Sequence, residues 1–179
     1  MTKIQSRFIN KSIWIAIIVF CLRCCFSWNN FSLYNIFGYA GQAVSISTLI
    51  IIAYEKWFWK YDPSEKTPLL KKRYRGKLYS TYDGTEREAT LEIKQSFLSI
   101  NVIFATEESK SKSIVASIDK IQDEWQLTYC YLNVPKANVR DRSGIHYGTA
   151  WFCIENPKEI QGQYFTDRKT TGDMKFTSE

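Results

Sequence analysis

Two long apolar stretches in the first third of the chain limit its fold more than any other feature. Residues 13–31 and 36–57 are each about as long as the α-helix that crosses a hydrocarbon layer of roughly 30 Å. A cleaved signal peptide is a poorer interpretation of the first stretch, because no small-residue cleavage site follows it. The alternative for the second stretch is a buried core helix. We therefore predict a membrane hairpin of two transmembrane helices.

Basic residues flank the two stretches and none separates them. Lys3, Arg7 and Lys11 precede the first stretch, residues 27–35 carry no charge, and eight lysines and arginines follow between residues 56 and 77. The positive-inside rule then places both termini in the cytoplasm. Cytosolic thiols are kept reduced, and the five cysteines form no disulfide framework.

Arg23 is the one charge inside the first stretch. A charge at membrane depth costs about 2.5 kcal/mol or more and is usually paired, hydrated or functional. In an antiparallel hairpin, Gln42 comes to a similar depth, and Gly38, Gly41, Ser45 and Ser47 offer small surfaces where helices can approach. We therefore assign a membrane function to Arg23 and Gln42, and expect the helices to associate with one another or between copies.

The rest of the chain divides into a short linker and a cytoplasmic domain. We assign residues 1–60 to the two-helix membrane region, 61–71 to a basic linker and 72–179 to a β-domain. The net charge of +6 lies largely beside the membrane and not on one face of the domain. DNA and RNA are therefore not expected partners, whereas the lipid bilayer is.

From about residue 72, apolar residues recur at every second position, a period of two that is typical of β-strands. Short turn signals such as Asp83-Gly84 and Asn156-Pro157 separate the segments, and no helical stretch is long enough for a crossover. The predicted strands are residues 73–82, 87–95, 97–106, 112–120, 124–134, 146–155, 159–167 and 171–178. A meander of this kind most economically closes into a small antiparallel eight-stranded β-barrel, which removes exposed edges.

The soluble part lacks the residues that catalysis and metal binding require. His146 is the single histidine, which excludes most acid–base and metal schemes. The soluble part has no cysteine pair at ligand spacing and no glycine-rich phosphate loop; Cys21-x-x-Cys24 lies in the first apolar stretch. We expect no enzyme activity, no metal and no cofactor.

Aromatic rings and arginines on the later strands favour a binding function. Rings stack on bases, and arginine guanidinium groups bind phosphates through two parallel hydrogen bonds. Aromatic residues also fill barrel interiors, so each ring has a purely structural alternative. The candidate ligand-binding residues are Tyr131, Arg140, Arg142, Trp151, Tyr164, Thr166, Arg168 and Thr171.

The order of these parts resembles a known family. Two N-terminal spans, a basic linker and a strand-rich domain that begins RYRGKLYSTY and ends GQYFTDRKTTGDMKF are similar to the SMODS-associated two-transmembrane, β-strand-rich effectors of bacterial CBASS anti-phage systems. The resemblance implies an inner-membrane protein whose cytoplasmic β-barrel binds a cyclic di- or oligonucleotide. It also implies that binding drives homo-oligomerisation and membrane disruption, which aborts phage infection.

Two other functions fit the same architecture. A membrane-tethered, lipocalin-like binder would hold a small apolar molecule or metabolite in the barrel, and its interior would lack cations. A structural barrel would be packed solid and would serve protein–protein contact. A polar pocket in the barrel favours the nucleotide receptor over the solid barrel.

Overall fold

A computed structural model describes residues 3–27 and 32–179. The chain divides into two compact units. One is helical and comprises residues up to 65 together with residues 96–98, and the other comprises residues 66–95 and 99–179.

The helical unit contains two long helices. Helix α1 spans Lys3–Phe26, and α2 spans Leu33–Ala53 and continues through a π-helical turn, Tyr54–Phe58, and a 3-10 turn, Trp59–Tyr61. Ser32 caps α2 because its hydroxyl oxygen accepts a hydrogen bond from the Asn35 N–H at 3.2 Å. The segments Ile4–Phe26 and Leu33–Tyr61 are long and apolar enough to cross a membrane.

The first helix begins earlier than the apolar pattern predicts. It starts at Lys3 because polar residues continue the helix before the apolar stretch begins. The predicted end of that stretch, residues 28–31, lies outside the described residues. Arg7 and Lys11 are therefore part of α1 itself.

These two basic residues pair with the segment that follows α2. The Lys11 ammonium lies 2.5 Å from an Asp62 carboxylate oxygen and 2.9 Å from a Glu65 oxygen, and Arg7 lies 2.8 Å from Glu65. The hydrogen bond from Lys11, followed by one from Ser64, holds the pKa of Asp62 well below its ordinary value. Charges that the positive-inside rule counts for orientation thus also hold the helical unit together.

The connection between the second and third strands belongs to the helical unit. The prediction of a strand over residues 97–106 is wrong at its start, since this strand begins at Ile100. The Phe97 ring lies 5.5 Å from the Tyr54 ring, and the Phe97 N–H donates to the Glu55 carbonyl at 3.0 Å. The alternating pattern runs unchanged into this turn, so periodicity alone cannot locate the strand's beginning.

Eight antiparallel strands form the second unit, as the period of two predicts. The strands are β1 Arg73–Ser80, β2 Thr85–Gln95, β3 Ile100–Thr106, β4 Ser109–Ile121, β5 Glu124–Pro135, β6 His146–Asn156, β7 Glu159–Thr166 and β8 Thr171–Ser178. Each strand pairs with the next, and β8 pairs with β1 to close the barrel. The predicted closed eight-stranded fold is confirmed.

The barrel interior is packed at one end. Alternate residues of each strand point inward, and the largest of those that are fully buried include Tyr74, Phe152 and Phe176. The Phe152 and Phe176 rings meet edge to face with centroids 5.8 Å apart. The Tyr74 hydroxyl donates to the Pro157 carbonyl at 2.8 Å, so this end of the barrel is closed.

The strand order places four connections together at the other end. The turns β1–β2, β3–β4 and β7–β8 and the longer β5–β6 loop, which contains a 3-10 turn at Ala137–Val139, must share one end because every strand is antiparallel to its neighbours. The chain enters β1 at the opposite end. Side chains far apart in sequence therefore converge around one opening.

Substituting Gly162 by Ala tests the tight backbone packing of the barrel. A Cβ there would lie 1.8 Å from the Trp151 carbonyl oxygen, so the strands must shift, and we expect a loss of about 2 kcal/mol or more in unfolding free energy. Gly144→Ala is the control, because no atom lies within 4 Å of its Cβ position. Thermal unfolding of the two variants measures the difference, and equal stability contradicts the packing described here.

Candidate functional site

A cavity enters the barrel from the end that carries the four connections. It contains about 760 Å³ of empty space including its mouth, of which about 100 Å³ is open to the centre of a water molecule. The inner wall includes small polar side chains, Ser80, Ser111 and Asn133, where the opposite end of the barrel has large apolar ones. The space that admits the centre of a water molecule is thus a small part of the empty space of the cavity.

Two arginines belong to the lining. Arg87 on β2 pairs with Asp83 in the preceding turn. Arg168 in the β7–β8 turn donates to the Ser143 hydroxyl at 3.3 Å, and its guanidinium lies 5.7 Å from the centre of the Tyr82 ring. Cation–π contact of this kind favours a fixed guanidinium plane.

A second charged pair lies at the same end. Arg142 in the β5–β6 loop pairs with Glu108, a lining residue of the β3–β4 turn. The Tyr82 hydroxyl donates to the Arg142 carbonyl. These contacts join three of the four connections around the opening.

Three tyrosines bring hydroxyl groups into the cavity. Burial raises the pKa of Tyr129, of Tyr131 and of Tyr164 above the ordinary value for a phenol. An ordinary phenol is already protonated at neutral pH, so each of these hydroxyls keeps its proton there and can donate a hydrogen bond. Tyr164 donates to the Ser80 hydroxyl at 2.8 Å, which fixes its ring against the wall.

His146 and Asn133 form a polar pair on the wall. The His146 Nδ1 lies 2.9 Å from the Gly144 carbonyl oxygen, and its Nε2 lies 3.5 Å from the Asn133 amide nitrogen. With the proton on Nδ1, Nε2 accepts a long hydrogen bond from Asn133. His146 is thus occupied by the wall itself and has the geometry of a structural residue.

Two glycines make space for the aromatic rings. A Cβ on Gly148 would lie 2.4 Å from the Tyr131 ring, and one on Gly172 would lie 2.0 Å from the Tyr79 carbonyl and 2.4 Å from the Tyr164 ring. Gly172 lies within β8, after the β7–β8 turn. The left-handed residue of this turn is Lys169, with φ of 63°.

The structure brings together some of the predicted binding residues. Tyr131, Tyr164 and Arg168 line the cavity. Thr166 is buried beside it, and its hydroxyl lies 2.6 Å from the hydroxyl of the lining residue Thr170. These residues belong to the turn and strands that the sequence singles out.

The other predicted binding residues lie outside the lining. Arg140 donates to the Pro135 carbonyl at 3.3 Å, and Arg142 reaches Glu108 at the rim. Trp151 lies on the outer face, because its neighbours Ala150 and Phe152 point inward. The Thr171 N–H donates to the Thr81 hydroxyl at 2.9 Å.

Sequence reasoning missed several lining residues. Arg87 and Tyr82 line the cavity from the region of the β1–β2 turn, and Asn133 and His146 line it from β5 and β6, where the sequence directs attention to aromatic residues. The antiparallel order offers the missing signal, because it places the β1–β2 turn at the same end as the β7–β8 turn. In the described residues, 3–27 and 32–179, no group of three or more metal-ligating side chains occurs.

Comparison with known proteins identifies the family. Residues 65–178 match the family described as Cap15, cyclic dinucleotide receptor domain. The chain belongs to the Cap15 family. It is also 31% identical over 170 residues to CD-NTase-associated protein 15 of Staphylococcus schleiferi, with 91% of each chain covered.

Family membership confirms the main functional prediction. The protein is a CBASS effector of the Cap15 family with a cyclic nucleotide-binding β-barrel, and membership of a receptor family points to a non-catalytic role. A redesigned β-barrel of known structure is also similar, with a TM-score of 0.47, 8% identity and coverage of 62% of this chain and 91% of that one. That likeness carries no functional information.

Gly148→Ala tests whether the cavity is the nucleotide site of this Cap15 barrel. The new methyl group displaces the Tyr131 ring into the cavity, so we expect the affinity for a cyclic dinucleotide to fall by about ten-fold or more, which corresponds to 1.4 kcal/mol. Trp151→Phe, on the outer face of the same strand, is the control. Calorimetric titration measures both, and an unchanged Gly148→Ala affinity places the site elsewhere.

Proposed function

We propose that the cavity holds one cyclic dinucleotide, with its phosphates at the mouth and its bases against the tyrosines. The observation that carries the proposal is the pair of arginines, Arg87 and Arg168, at the opening of a cavity lined by aromatic and hydroxyl groups. A cyclic dinucleotide has two phosphates and two flat bases. Guanidinium groups and rings match both parts.

The shape of the cavity supports this orientation. Only about 100 Å³ of it accepts the centre of a water molecule, whereas its empty space including the open solvent at the mouth is about 760 Å³. The phosphates stay at the opening, where they need less desolvation, and Tyr131 and Tyr164 contact the part of the ligand that enters. An apolar ligand of a lipocalin-like barrel needs no arginines at the opening, so the lining favours the nucleotide.

Carboxylates hold the arginines before the ligand arrives. Arg87 pairs with Asp83, and Arg142 with Glu108. A phosphate that binds Arg87 replaces the Asp83 carboxylate as its partner, and that carboxylate keeps the hydrogen bonds from the Thr85 N–H and hydroxyl and turns to solvent. Binding therefore changes the contacts of the β1–β2 turn.

The remaining candidate residues support the turns around the opening. Thr166 and Thr171 anchor the two ends of the turn that carries Arg168, through Thr170 and Thr81 respectively. Arg140 and Arg142 add positive charge to the β5–β6 loop. Trp151 acts only indirectly, from the outer face.

Ligand binding then drives self-association and breach of the inner membrane. The helical hairpin, residues 1–60, spans the bilayer with both termini in the cytoplasm, residues 61–71 link it, and residues 72–179 sense the nucleotide. The Arg23 Nε donates to the Gln42 carbonyl oxygen at 2.6 Å, and the Arg23 guanidinium lies 5.2 Å from the centre of the Tyr39 ring. When hairpins gather, polar groups of this kind admit water between them.

Some of the small residues of α2 lie outside the face that packs within the hairpin. Tyr39, Ala43 and Ser47 are buried at helical spacing, whereas Cβ positions on Gly38 and Gly41 meet no atom within 4 Å. Of the small residues that the sequence suggests, Ser47 alone is buried. Gly38 and Gly41 offer a close-packing surface for neighbouring copies.

Arg168→Ala tests the phosphate contact. Removal of a charged hydrogen bond lowers affinity by about ten- to one hundred-fold, and we expect this loss with an unchanged melting temperature. Lys169→Asn is the matched control, since it removes the adjacent charge while asparagine tolerates the left-handed backbone. Equal calorimetric affinities for the two variants would falsify the contact, and Tyr164→Ala tests the base contact in the same assay.

Arg23→Leu tests the membrane step separately. The variant keeps the barrel intact, so nucleotide affinity should stay unchanged, while leakage of dye from vesicles after ligand addition should fall by about ten-fold, because the charge of Arg23 at membrane depth no longer draws water. Leu22→Ala, an exposed apolar neighbour, is the control. Undiminished leakage from Arg23→Leu vesicles shows that the charge is incidental to the breach.

A further inference from the structure

A row of buried polar side chains runs along one wall of the cavity. Tyr129, Tyr131 and Asn133 occupy alternate positions of β5 and line the cavity, with only 2%, 7% and 9% of their surface exposed. Ser111, the cross-strand partner of Asn133 on β4, is also buried and lines the cavity beside them. We refer to these four residues as the inner polar row.

The inner polar row extends from the mouth of the cavity toward the closed end of the barrel. Strand β5 ends at Pro135 beside the opening, whereas the Tyr129 ring stacks on the Phe152 ring with centroids 6.3 Å apart. Four residue steps along a strand cover roughly 13 Å, so the three β5 side chains lie at successive depths. A ligand whose phosphates bind at the mouth meets this row with the part that enters the barrel.

The hydroxyl groups of the row have no hydrogen-bond partner in the protein. Among residues 3–27 and 32–179, no group is hydrogen-bonded to the hydroxyl of Ser111, Tyr129 or Tyr131. The buried Tyr74 hydroxyl, by contrast, donates to the Pro157 carbonyl at 2.8 Å. Nearly all buried polar groups in proteins have a partner, because leaving one without it costs stability. Buried hydroxyls left open along a cavity wall therefore point to a polar ligand.

His146 fixes the orientation of the Asn133 amide. The Gly144 carbonyl oxygen beside Nδ1 can only accept, so the proton lies on Nδ1, and Nε2 is an acceptor. The Asn133 amide nitrogen, 3.5 Å away, is the group that can donate to it. In the part of the chain that the structure describes, this amide makes no other hydrogen bond. Its carbonyl oxygen and its second N–H are therefore available to a ligand.

An amide held in this way matches one kind of base edge. It offers an acceptor beside a donor, and so pairs with a donor beside an acceptor. The N6 amine and N7 of adenine form such a pair, which asparagine typically binds, and the N3–H and O4 of uracil form another. Guanine places its N2 amine next to its N1–H, and a carboxylate matches these two adjacent donors better than an amide does.

We propose that the Asn133 amide, oriented by His146, reads the edge of one base of the bound cyclic dinucleotide and selects adenine or uracil over guanine. The inference rests on the proposed function and deepens it, because it names the residue that sets base specificity. Asn133 contacts the ligand, and His146 is a positioning residue. The hydroxyls of Tyr129 and Tyr131 can both donate and accept, so they add affinity without choosing between bases.

Asn133→Asp is the direct test, because the carboxylate keeps the acceptor and removes the N–H donor. Full-length protein in detergent is titrated calorimetrically with cyclic di-AMP, cyclic di-UMP and cyclic di-GMP. We expect the wild type to bind cyclic di-AMP or cyclic di-UMP about ten-fold more tightly than cyclic di-GMP, and the variant to shift this affinity ratio about ten-fold or more toward cyclic di-GMP. Asn101→Asp, the same change at an exposed position of β3, should leave the ratio unchanged.

Two substitutions test the positioning role of His146. His146→Leu removes the acceptor, so the Asn133 amide is free to turn, and the affinity ratio should fall toward one. His146→Gln keeps an oxygen that accepts from the amide, so it should restore most of the wild-type ratio. A wild-type ratio in His146→Leu contradicts the positioning role.

A matched pair of tyrosine variants tests whether the row serves the ligand or the barrel. Tyr131→Phe removes a hydroxyl without a protein partner, so the melting temperature should stay or rise while nucleotide affinity falls about three- to ten-fold. Tyr74→Phe removes a hydroxyl that is bonded to Pro157 and to the Lys71 N–H, so the melting temperature should fall and affinity should stay unchanged. A Tyr131→Phe variant that loses stability but keeps its affinity assigns the row to the barrel and overturns the inference.

The same titrations separate this inference from the proposed function. A wild type that binds a nucleotide but prefers cyclic di-GMP, or an Asn133→Asp variant with the wild-type ratio, overturns the reading of the base edge and leaves the binding proposal intact. A wild type that binds none of the three nucleotides contradicts the binding proposal, and the reading of the base edge falls with it.

Discussion

Closure of the sheet between β1 and β8 is the constraint on which the rest of the structure depends. Pairing of Tyr74–Ser80 with Gly172–Ser178 removes both edges of the sheet and creates an interior that side chains must fill or leave open. Large apolar residues fill one end, whereas Ser80 and Ser111 leave space at the other. The difference in side-chain size along the barrel axis therefore produces the cavity.

The electrostatics of the opening follow from the same topology. Antiparallel order brings four connections together, and these contribute Arg87, Arg142 and Arg168 as well as the carboxylates Asp83 and Glu108. Each cation has a partner within the protein, so the ligand-free state does not expose a bare cluster of charge. In the proposed complex a phosphate exchanges with the carboxylate partners, which links nucleotide occupancy to the conformation of the turns.

Most of the fold could be predicted because its strands alternate apolar and polar residues and are separated by recognisable turn sequences. All eight strands are found close to their predicted positions, and the Asp83-Gly84 and Asn156-Pro157 turns separate them as expected. The predicted start of β3 is wrong, because the Phe97 ring is buried by aromatic rings of the helical unit that no local pattern reveals. The prediction that Arg23 and Gln42 lie at a similar depth in an antiparallel hairpin needed only helix geometry. In the structure the two side chains are hydrogen-bonded to each other.

The candidate site could be predicted only in part. Tyr131, Tyr164 and Arg168 come from the aromatic, basic segment that the sequence singles out, but Trp151 faces outward and Arg87 was missed. Sequence by itself determined the apolar hairpin, the alternating strands and the residue types suited to a nucleotide, because these depend on local composition and period. Only the tertiary structure decided which side chains share the cavity, because that depends on strand register and barrel closure, which bring together residues distant in the chain.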